Sequence, residues 1–426
     1  MAIHVVVERS GGLDIGKASL VACVQVPDEH GGWQVHSRKF ATMTADLLAL
    51  RDWLCEWGVT RVGMESTSAY WKPVFYALED SLECWLLNPR HMRAVPGRKT
   101  DATDAEWICD LIAHGLVRPS FVPPPPIRRL RDLTRRRSTL MQDRTREKLR
   151  LEKTLEDAGV KLSCLATDLL GRSARAMLAA LIAGERDGAV LAALALGKMR
   201  PKIPALTQAL AGRFTDHHAF LIEMILHHID TIDTMIAALD TRITTEIEPY
   251  QAQLQLIKTI DGFDTRNAQA LLAETGADMT RFATAGHLAS WAGICPGNNK
   301  TGGKAKPGRT RPGNRWLKAC LGVAAMAAAR KRNCYSNSQY RRIAARRGAK
   351  RARVAVGHSL LIAAWHVLST NTAYHNLGAD YFLQRHDPQR RIRKMISILG
   401  AWDHPIDKKL SMSCPCASLG GDPLRS

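Results

Sequence analysis

Between Met279 and Ala379 the sequence contains no aspartate and no glutamate, although lysine and arginine are dense there. Ordinary solvated surfaces mix charges of both signs, so this segment argues against a generic surface role. Paired CxxC motifs are also missing. The ten cysteines are scattered, and Cys414-Pro-Cys416 has no partner pair nearby, which speaks against a zinc cluster. Buried, reduced thiols in a cytosolic protein fit this usage. The opening MAIHVVVERSGG lacks the charged-then-apolar layout of a secretory signal. The best apolar run, Val354 to Leu368, contains His358 and His366 and falls short of the ~20 residues a membrane span needs. Together these absences leave a soluble, cytoplasmic protein with no membrane partner as the expectation.

What is present points to a polyanion. Lysine and arginine number 60 against 40 acids, a formal charge of +20, and nucleic acid is the commonest partner of such a chain. An apolar fraction of 46% is that of a globular protein, and 426 residues exceed one ordinary core, so two or three domains are expected.

The N-terminal third alternates strand and helix patterns. GLDIGKASLVACVQV reads as two strands about a turn at Gly16-Lys17, and Trp33 to Phe40 as a third. Thr44 to Trp57 has helical spacing, and VTRVGMES reads as a buried strand ending at Glu65. Tyr70 to Leu78 is helical, CWLLNP a short strand, and TDATDAEWICDLIAHG a helix. Such alternation predicts an α/β domain. Pro123 to Pro126 mark its boundary. A long Arg-rich helical stretch follows, Ile127 to Asp157. Its seam of Leu130, Leu133, Leu140, Leu149 and Leu155 predicts a coiled coil or helical hairpin. Helical patterning continues to Ile247.

LIKTIDGFDTRNAQALLAETG then has the layout of a helix-hairpin-helix, a motif that grips phosphates through backbone N–H groups. Asp264 stands where that turn normally carries a second glycine, so packing is preferred over phosphate binding. The last ~40 residues are basic and then Cys-, Gly- and Ser-rich, and their composition predicts disorder.

Four acids stand out by position. Asp14 follows a strand start and precedes Gly16; Glu65 ends a β-branched run; Asp101 and Asp104 lie three apart at a helix start and share one face. In open α/β sheets, strand ends and neighbouring helix starts converge on one edge. Magnesium prefers hard oxygen ligands, and two such ions can clamp the attacking and leaving oxygens at phosphorus. Taken singly, Asp14 reads as a turn residue, Glu65 as solvated and Asp101 as an N-cap; the set as a whole is the signal. The His217-His218 and His227-His228 doublets lack the four-residue spacing of paired ligands and read as surface and seam residues.

The chain resembles the insertion-sequence one-ten family of transposases, the bridge-RNA-guided recombinases related to pilin-gene invertases. The resemblance lies in GLDIGKASLVACV, GMESTSAYWKPV, LLNPRHMRAVPGRKTDATDAEWICDLIAHGLVRPSFVPPP, HLASWAGICPGNNKTGGKAKPGRTRPGNRWLK and AARRGAKRARVAVGHSLLIAAWHVL, from about residue 8 to about residue 385. It implies a RuvC-like (ribonuclease H type) α/β domain over 8–125 and a mostly α-helical coiled coil over 126–250. A C-terminal transposase domain would cover 251–385, with the tail at 386–426 beyond it.

It further implies that Asp14, Glu65, Asp101 and Asp104 bind Mg2+. A serine of the C-terminal domain attacks DNA phosphate beside the acids of another protomer, leaving a covalent link. DNA, a structured guide RNA and a homo-oligomer, dimer or tetramer on DNA, follow as partners.

The serine position reads Thr301 here. Threonine carries a hydroxyl nucleophile, but its β-branch restricts χ1. Three readings stand: Thr301 takes the serine's role, strand transfer is lost while metal chemistry remains, or Ser290 in HLASWAG acts. The first is preferred. Around it, Gly297, Gly302, Gly303 and Gly308 let backbone approach phosphates, and Lys304, Lys306, Arg309, Arg311 and Arg315 supply counter-charge. Arg346, Arg347, Lys350 and Arg351, with Arg341, Arg342 and Arg353, form a second basic cluster for a nucleic-acid backbone. Arg135 to Arg137 read either as a guide-RNA contact or as a solvated helix face.

Overall fold

In a computed structural model, residues 5–30, 32–93, 95, 104–295, 300–305, 310–384 and 396–397 are described. The chain divides into two compact units, Met1–Pro123 and Pro124–Ser426.

The first unit is built on one mixed sheet. Its elements are β1 (Ser10–Ile15), β2 (Ser19–Pro27), β3 (Trp33–Ala41), α1 (Thr44–Glu56), β4 (Arg61–Glu65), α2 (Trp71–Leu78), β5 (Glu83–Leu87), α3 (Pro89–Arg93) and α4 (Asp104–Ala113). The strand order is β3-β2-β1-β4-β5. β2 is antiparallel to β1 and β3, whereas β1, β4 and β5 run parallel. The two sheet faces carry different helices. Leu13, Ile15, Val62 and Met64 join Leu47, Leu50 and Leu54 of α1 and Val74 and Leu78 of α2 in one core. Leu87 of β5 packs instead with Ile108, Leu111 and Ile112 of α4.

Backbone approach explains how α4 lies on the second face. Gly12 and Gly63 are paired in register on neighbouring parallel strands. A Cβ at Gly12 would stand 2.1 Å from the Ala105 carbonyl oxygen and 2.5 Å from the Cys109 nitrogen. One at Gly63 would meet Ile112 Cγ1 at 2.8 Å. Gly12 therefore lets the α4 backbone rest directly on the sheet, and Gly63 leaves room for the Ile108 and Ile112 side chains of the same helix.

The second unit begins inside the proline run. α5 (Pro125–Asp157) starts with proline at its first turn, where the missing N–H costs nothing. It is one unbroken helix of 33 residues, not a hairpin. Short helices follow as α6 (Leu162–Leu165), α7 (Arg172–Ile182), α8 (Gly188–Ala193) and α9 (Ile203–Ala209), then the long α10 (Asp216–Glu246).

Ion pairs from Arg129 to Glu246, Arg137 to Asp240 and Arg144 to Asp233, and the 3.2 Å contact of His228 Nδ1 with Glu147, run in opposite senses along α5 and α10. The two helices are thus antiparallel partners. Arg137 and Arg144 are seven apart, as are Asp240 and Asp233, so these two pairs share one heptad position, and Leu151 and Leu226 each lie seven residues further along the same positions. Leu151 and Leu226 belong to the core closed by α6 to α9. Leu149, placed in the seam by the leucine pattern, is instead 52% exposed.

The remainder comprises α11 (Gln251–Lys258), α12 (Thr265–Thr275), α13 (Ala285–Trp291), β6 (Lys300–Thr301), β7 (Lys304–Ala305), α14 (Arg315–Arg330), α15 (Tyr335–Arg347), α16 (Ala349–Thr370) and α17 (Tyr381–Gln384). In the α11–α12 hairpin, Gly262 adopts φ +90°, and a Cβ there would lie 2.2 Å from the Ala324 carbonyl oxygen of α14. Asp264 caps α12, its Oδ1 accepting from Asn267 N at 2.7 Å. Both features serve packing. α16, at 22 residues, is long and apolar enough to cross a membrane by length and composition, longer than the apolar run within it. Its Val356, Leu360, Leu361, Ala364 and Val367 are buried within the unit. The segment 386–426 lies outside the described residues, apart from 396–397.

Candidate active site

Three of the four candidate acids converge on one end of the first unit. Asp14 stands one residue beyond Leu13 on β1, and Glu65 one beyond Met64 on β4; Leu13 and Met64 are register partners. The two carboxylates therefore leave neighbouring parallel strands at the same level and on the same face. Gly12 and Gly63, two residues earlier, share that face. α4 lies over those glycines, and its first residue is Asp104. Gly12-Leu-Asp14 and Gly63-Met-Glu65 are the same local device used twice: a glycine to admit the helix, then an acid beside its start. The glycines were read from sequence only as strand residues, and the repeated spacing was the signal that could have marked them.

The electrostatics agree with this convergence. The Asp14 carboxyl is held above the ordinary carboxylate range by partial burial, and then by the negative charges of Asp104 and Glu65. Glu65 Oε1 accepts a hydrogen bond from Thr67 Oγ1 at 2.9 Å. Among the described residues, no group of three or more His, Cys, Asp or Glu side chains is placed to hold a metal ion. Asp101 lies outside the described residues.

An all-oxygen set whose members repel one another is still what a hard divalent cation relieves. Magnesium sites also leave positions for water and substrate phosphate. The donor set fits that ion class. On β5, burial pushes the Cys84 thiol up to about 12, so it is protonated near neutrality. The His217-His218 doublet is engaged at the start of α10, where Thr215 N donates to His218 Nδ1 at 3.1 Å.

The candidate nucleophile lies in the second unit. Thr301 is the last residue of β6 and pairs across the hairpin with Lys304. Gly302 and Gly303 between them have φ +56° and +76°, the two positive values a tight primed turn requires. Ser290, the alternative hydroxyl, lies on α13 and is exposed, not buried in an apolar face.

Lys304, Arg311 and Arg315 are exposed around this loop, and the Arg315 guanidinium stacks over Trp316 at 4.7 Å. Lys306, Arg309, Gly297 and Gly308 lie outside the described residues. Arg346 and Arg347 end α15, and Lys350 and Arg351 begin α16 across Gly348; all four are exposed. Arg342 is engaged with the Phe382 ring at 4.2 Å.

Arg135 and Arg137 are engaged within the second unit, whereas Arg136 between them is exposed. Arg135 Nε and Nη2 donate to the two carboxylate oxygens of Glu274 at 2.7 and 2.8 Å. Arg137 is 3% exposed and donates to Asp240 at 2.7 Å and to Gln269 at 2.8 Å. Arginine triplets on a helix read as solvated because sequence does not reveal which acids fold against them.

Comparison with known proteins matches both halves of this description. The IS110 DEDD transposase profile matches residues 11–159, which contain all four acids. The profile of the transposase IS116/IS110/IS902 family matches residues 254–341, which contain Thr301. Together they span more than half of the chain.

A probable family 20 transposase of Pseudomonas aeruginosa is 26% identical over 335 residues, covering 76% of this chain and 88% of that protein. An uncharacterized 42 kDa protein of insertion element IS900 from Mycobacterium paratuberculosis is 30% identical over 243 residues, covering 52% of this chain and 59% of its own length. A 43.6 kDa protein of insertion element IS110 from Streptomyces coelicolor is 31% identical over 146 residues, covering 30% and 35% respectively. The chain belongs to the IS116/IS110/IS902 family of insertion-element transposases, enzymes that move DNA.

Proposed function

We propose that this transposase cuts and rejoins DNA by magnesium-dependent phosphoryl transfer through a covalent protein–DNA intermediate, with target choice guided by a structured RNA. The observation that carries the reading is the placement of Asp14 and Glu65 on neighbouring parallel strands beside the start of α4, where the Asp14 carboxyl is raised by burial and then by Asp104 and Glu65. Enzymes of this DEDD class are generally metal-dependent. Asp14, Glu65 and Asp104, with Asp101, would hold the metal. When bound, Mg2+ neutralises charge on the reacting phosphate. The mixed sheet with helices on both faces suits a RuvC-like, ribonuclease H type assignment for residues 8–125. The antiparallel pair α5–α10 suits the coiled coil over 126–250, and the Thr301 hairpin lies within the transposase domain over 251–385.

Thr301 supplies the nucleophile. Its hydroxyl oxygen bonds to phosphorus, the bond from phosphorus to a deoxyribose oxygen breaks, and the hydroxyl proton ends on that leaving oxygen. Attack by another strand's hydroxyl reverses the step and rejoins DNA. Lys304, Lys306, Arg309, Arg311 and Arg315 hold the backbone near the hairpin. Arg346, Arg347, Lys350 and Arg351 offer a second basic corner to nucleic acid. The active form is a homo-oligomer on DNA.

Threonine at this position supports a second reading, a nuclease or junction resolvase that activates water at the same acids. A suicide DNA substrate separates the two: a trapped protein–DNA adduct supports the first, and clean hydrolysis replaces it with the second.

A further inference from the structure

We propose that Glu274 is a positioning residue for the loop that carries Thr301; its link to strand joining rests on the Thr301 reading above. Glu274 sits at the end of α12 and is 1% exposed. A carboxylate buried to this degree must be matched by charge and hydrogen bonds. α5 supplies them. Arg135 binds both carboxylate oxygens, and Arg131 donates to the Ala273 and Glu274 carbonyls at 3.1 and 2.6 Å. Those pairs alone would dock α5 on α12.

Glu274 makes one contact more, and it reaches the loop. Asn314 Nδ2 donates to Glu274 Oε2. The same Asn314 caps α14, its Oδ1 accepting from Trp316 N at 3.0 Å and Leu317 N at 3.1 Å. It is thus the residue on which the loop lands.

The loop stem is closed just before that point. A Cβ at Gly293 would lie 2.8 Å from the Pro312 oxygen, and one at Gly313 2.4 Å from the Ala292 oxygen. The two ends of the loop press backbone against backbone. Glu274 fixes that stem to α12 and to the long helix α5. Movement of α5 is thereby conveyed to the loop through one buried carboxylate.

Asn314→Asp separates this role from simple packing. It keeps the capping oxygen and the arginine pairs, and it replaces the amide donor with a carboxylate facing Glu274. Glu274→Gln is the second variant. In Asn314→Asp, amide exchange across 294–313 should rise about tenfold or more while α12 and α14 stay protected; Glu274→Gln, which also loosens the Arg135 pairs, should raise it at least as much. With DNA saturating, the rate of strand joining should fall about ten- to hundred-fold, the scale of an angstrom-sized misplacement, at unchanged half-saturating DNA.

Wild-type exchange in the loop, or faster exchange spread evenly over α12, α14 and the loop with a lowered melting temperature, overturns the assignment. If wild-type protein forms no adduct through Thr301, the Thr301 reading fails while loop exchange still decides Glu274. If joining needs Thr301 but neither variant changes exchange or rate, Glu274 fails alone.

Discussion

Gly12→Ala adds one methyl group between β1 and α4. Built on the backbone, its carbon lies 2.1 Å from the Ala105 carbonyl oxygen and 2.5 Å from the Cys109 nitrogen. Both are main-chain atoms, so no side-chain rotation relieves the clash. Restoring an ordinary contact requires α4 to lift by about 1 Å or more. Asp104 begins that helix and would move with it, away from Asp14 and Glu65. Overpacking of this kind costs about 1–3 kcal/mol, and melting of the first unit should fall on the order of 5–10 °C. A displacement of this size at a reacting site costs on the order of a hundredfold in rate.

The neighbouring residue is the control. A Cβ at Gly11 faces Val62 at 3.3 Å and Val59 at 3.4 Å, side-chain contacts that can yield by a few tenths of an ångström. Gly11→Ala should therefore leave DNA cleavage within a few-fold of wild type. The assay is single-turnover cleavage in Mg2+ alongside thermal melting. Gly12→Ala cleaving DNA at the wild-type rate, or Gly11→Ala doing equal damage, would refute the claim that α4 aims Asp104 by resting on Gly12.

Thr301→Ala should abolish the DNA adduct while leaving affinity in a gel-shift assay unchanged, and Thr301→Ser should keep or raise joining; normal joining by the alanine variant removes Thr301 from the mechanism. Asp14 carries a folded pKa raised above its unfolded value, so the native state binds more protons and stability falls as pH rises from the unfolded value of 3.8 through the folded one. Without divalent metal, Asp14→Asn should flatten that part of the melting-versus-pH curve and melt higher than wild type at neutral pH; an unchanged curve contradicts the crowding of carboxylates. Removing Arg137 leaves buried Gln269 without its donor while Asp240 keeps Arg266, and Arg137→Ala should cost about 1–3 kcal/mol in chemical denaturation. Arg144→Ala, at a more open pair, should cost about 1 kcal/mol or less; equal losses would show that burial does not set the difference.

Much of the first unit was legible because its signals are local. Alternation in GLDIG and VTRVGMES marks strands, and 3.6-residue spacing in Thr44 to Trp57 marks α1. These patterns persist because one sheet face and one helix stripe are buried. The meeting of Asp14, Glu65 and Asp104 followed from a general rule about sheet edges, whereas the glycines that make it possible needed to be seen in register.

The second unit was less legible where pairing is long-range. Nothing near Arg135 or Arg137 announces Glu274 or Asp240, more than a hundred residues away. For the same reason Leu149 was counted into a seam that instead uses Leu151. The proline run illustrates the opposite limit: proline forbids the interior of a helix but suits its first turn, so α5 begins two residues before the sequence boundary suggests.

Calorimetric titration with Mn2+ or Mg2+ tests the shared-carboxylate claim most directly. Wild-type protein should show saturable divalent binding, and Asp14→Asn, Glu65→Gln and Asp104→Asn should each weaken it by tenfold or more, on the order of losing one direct ligand. Undiminished binding in all three variants would mean that these side chains do not hold the metal, and the proposed chemistry at this sheet edge would fall.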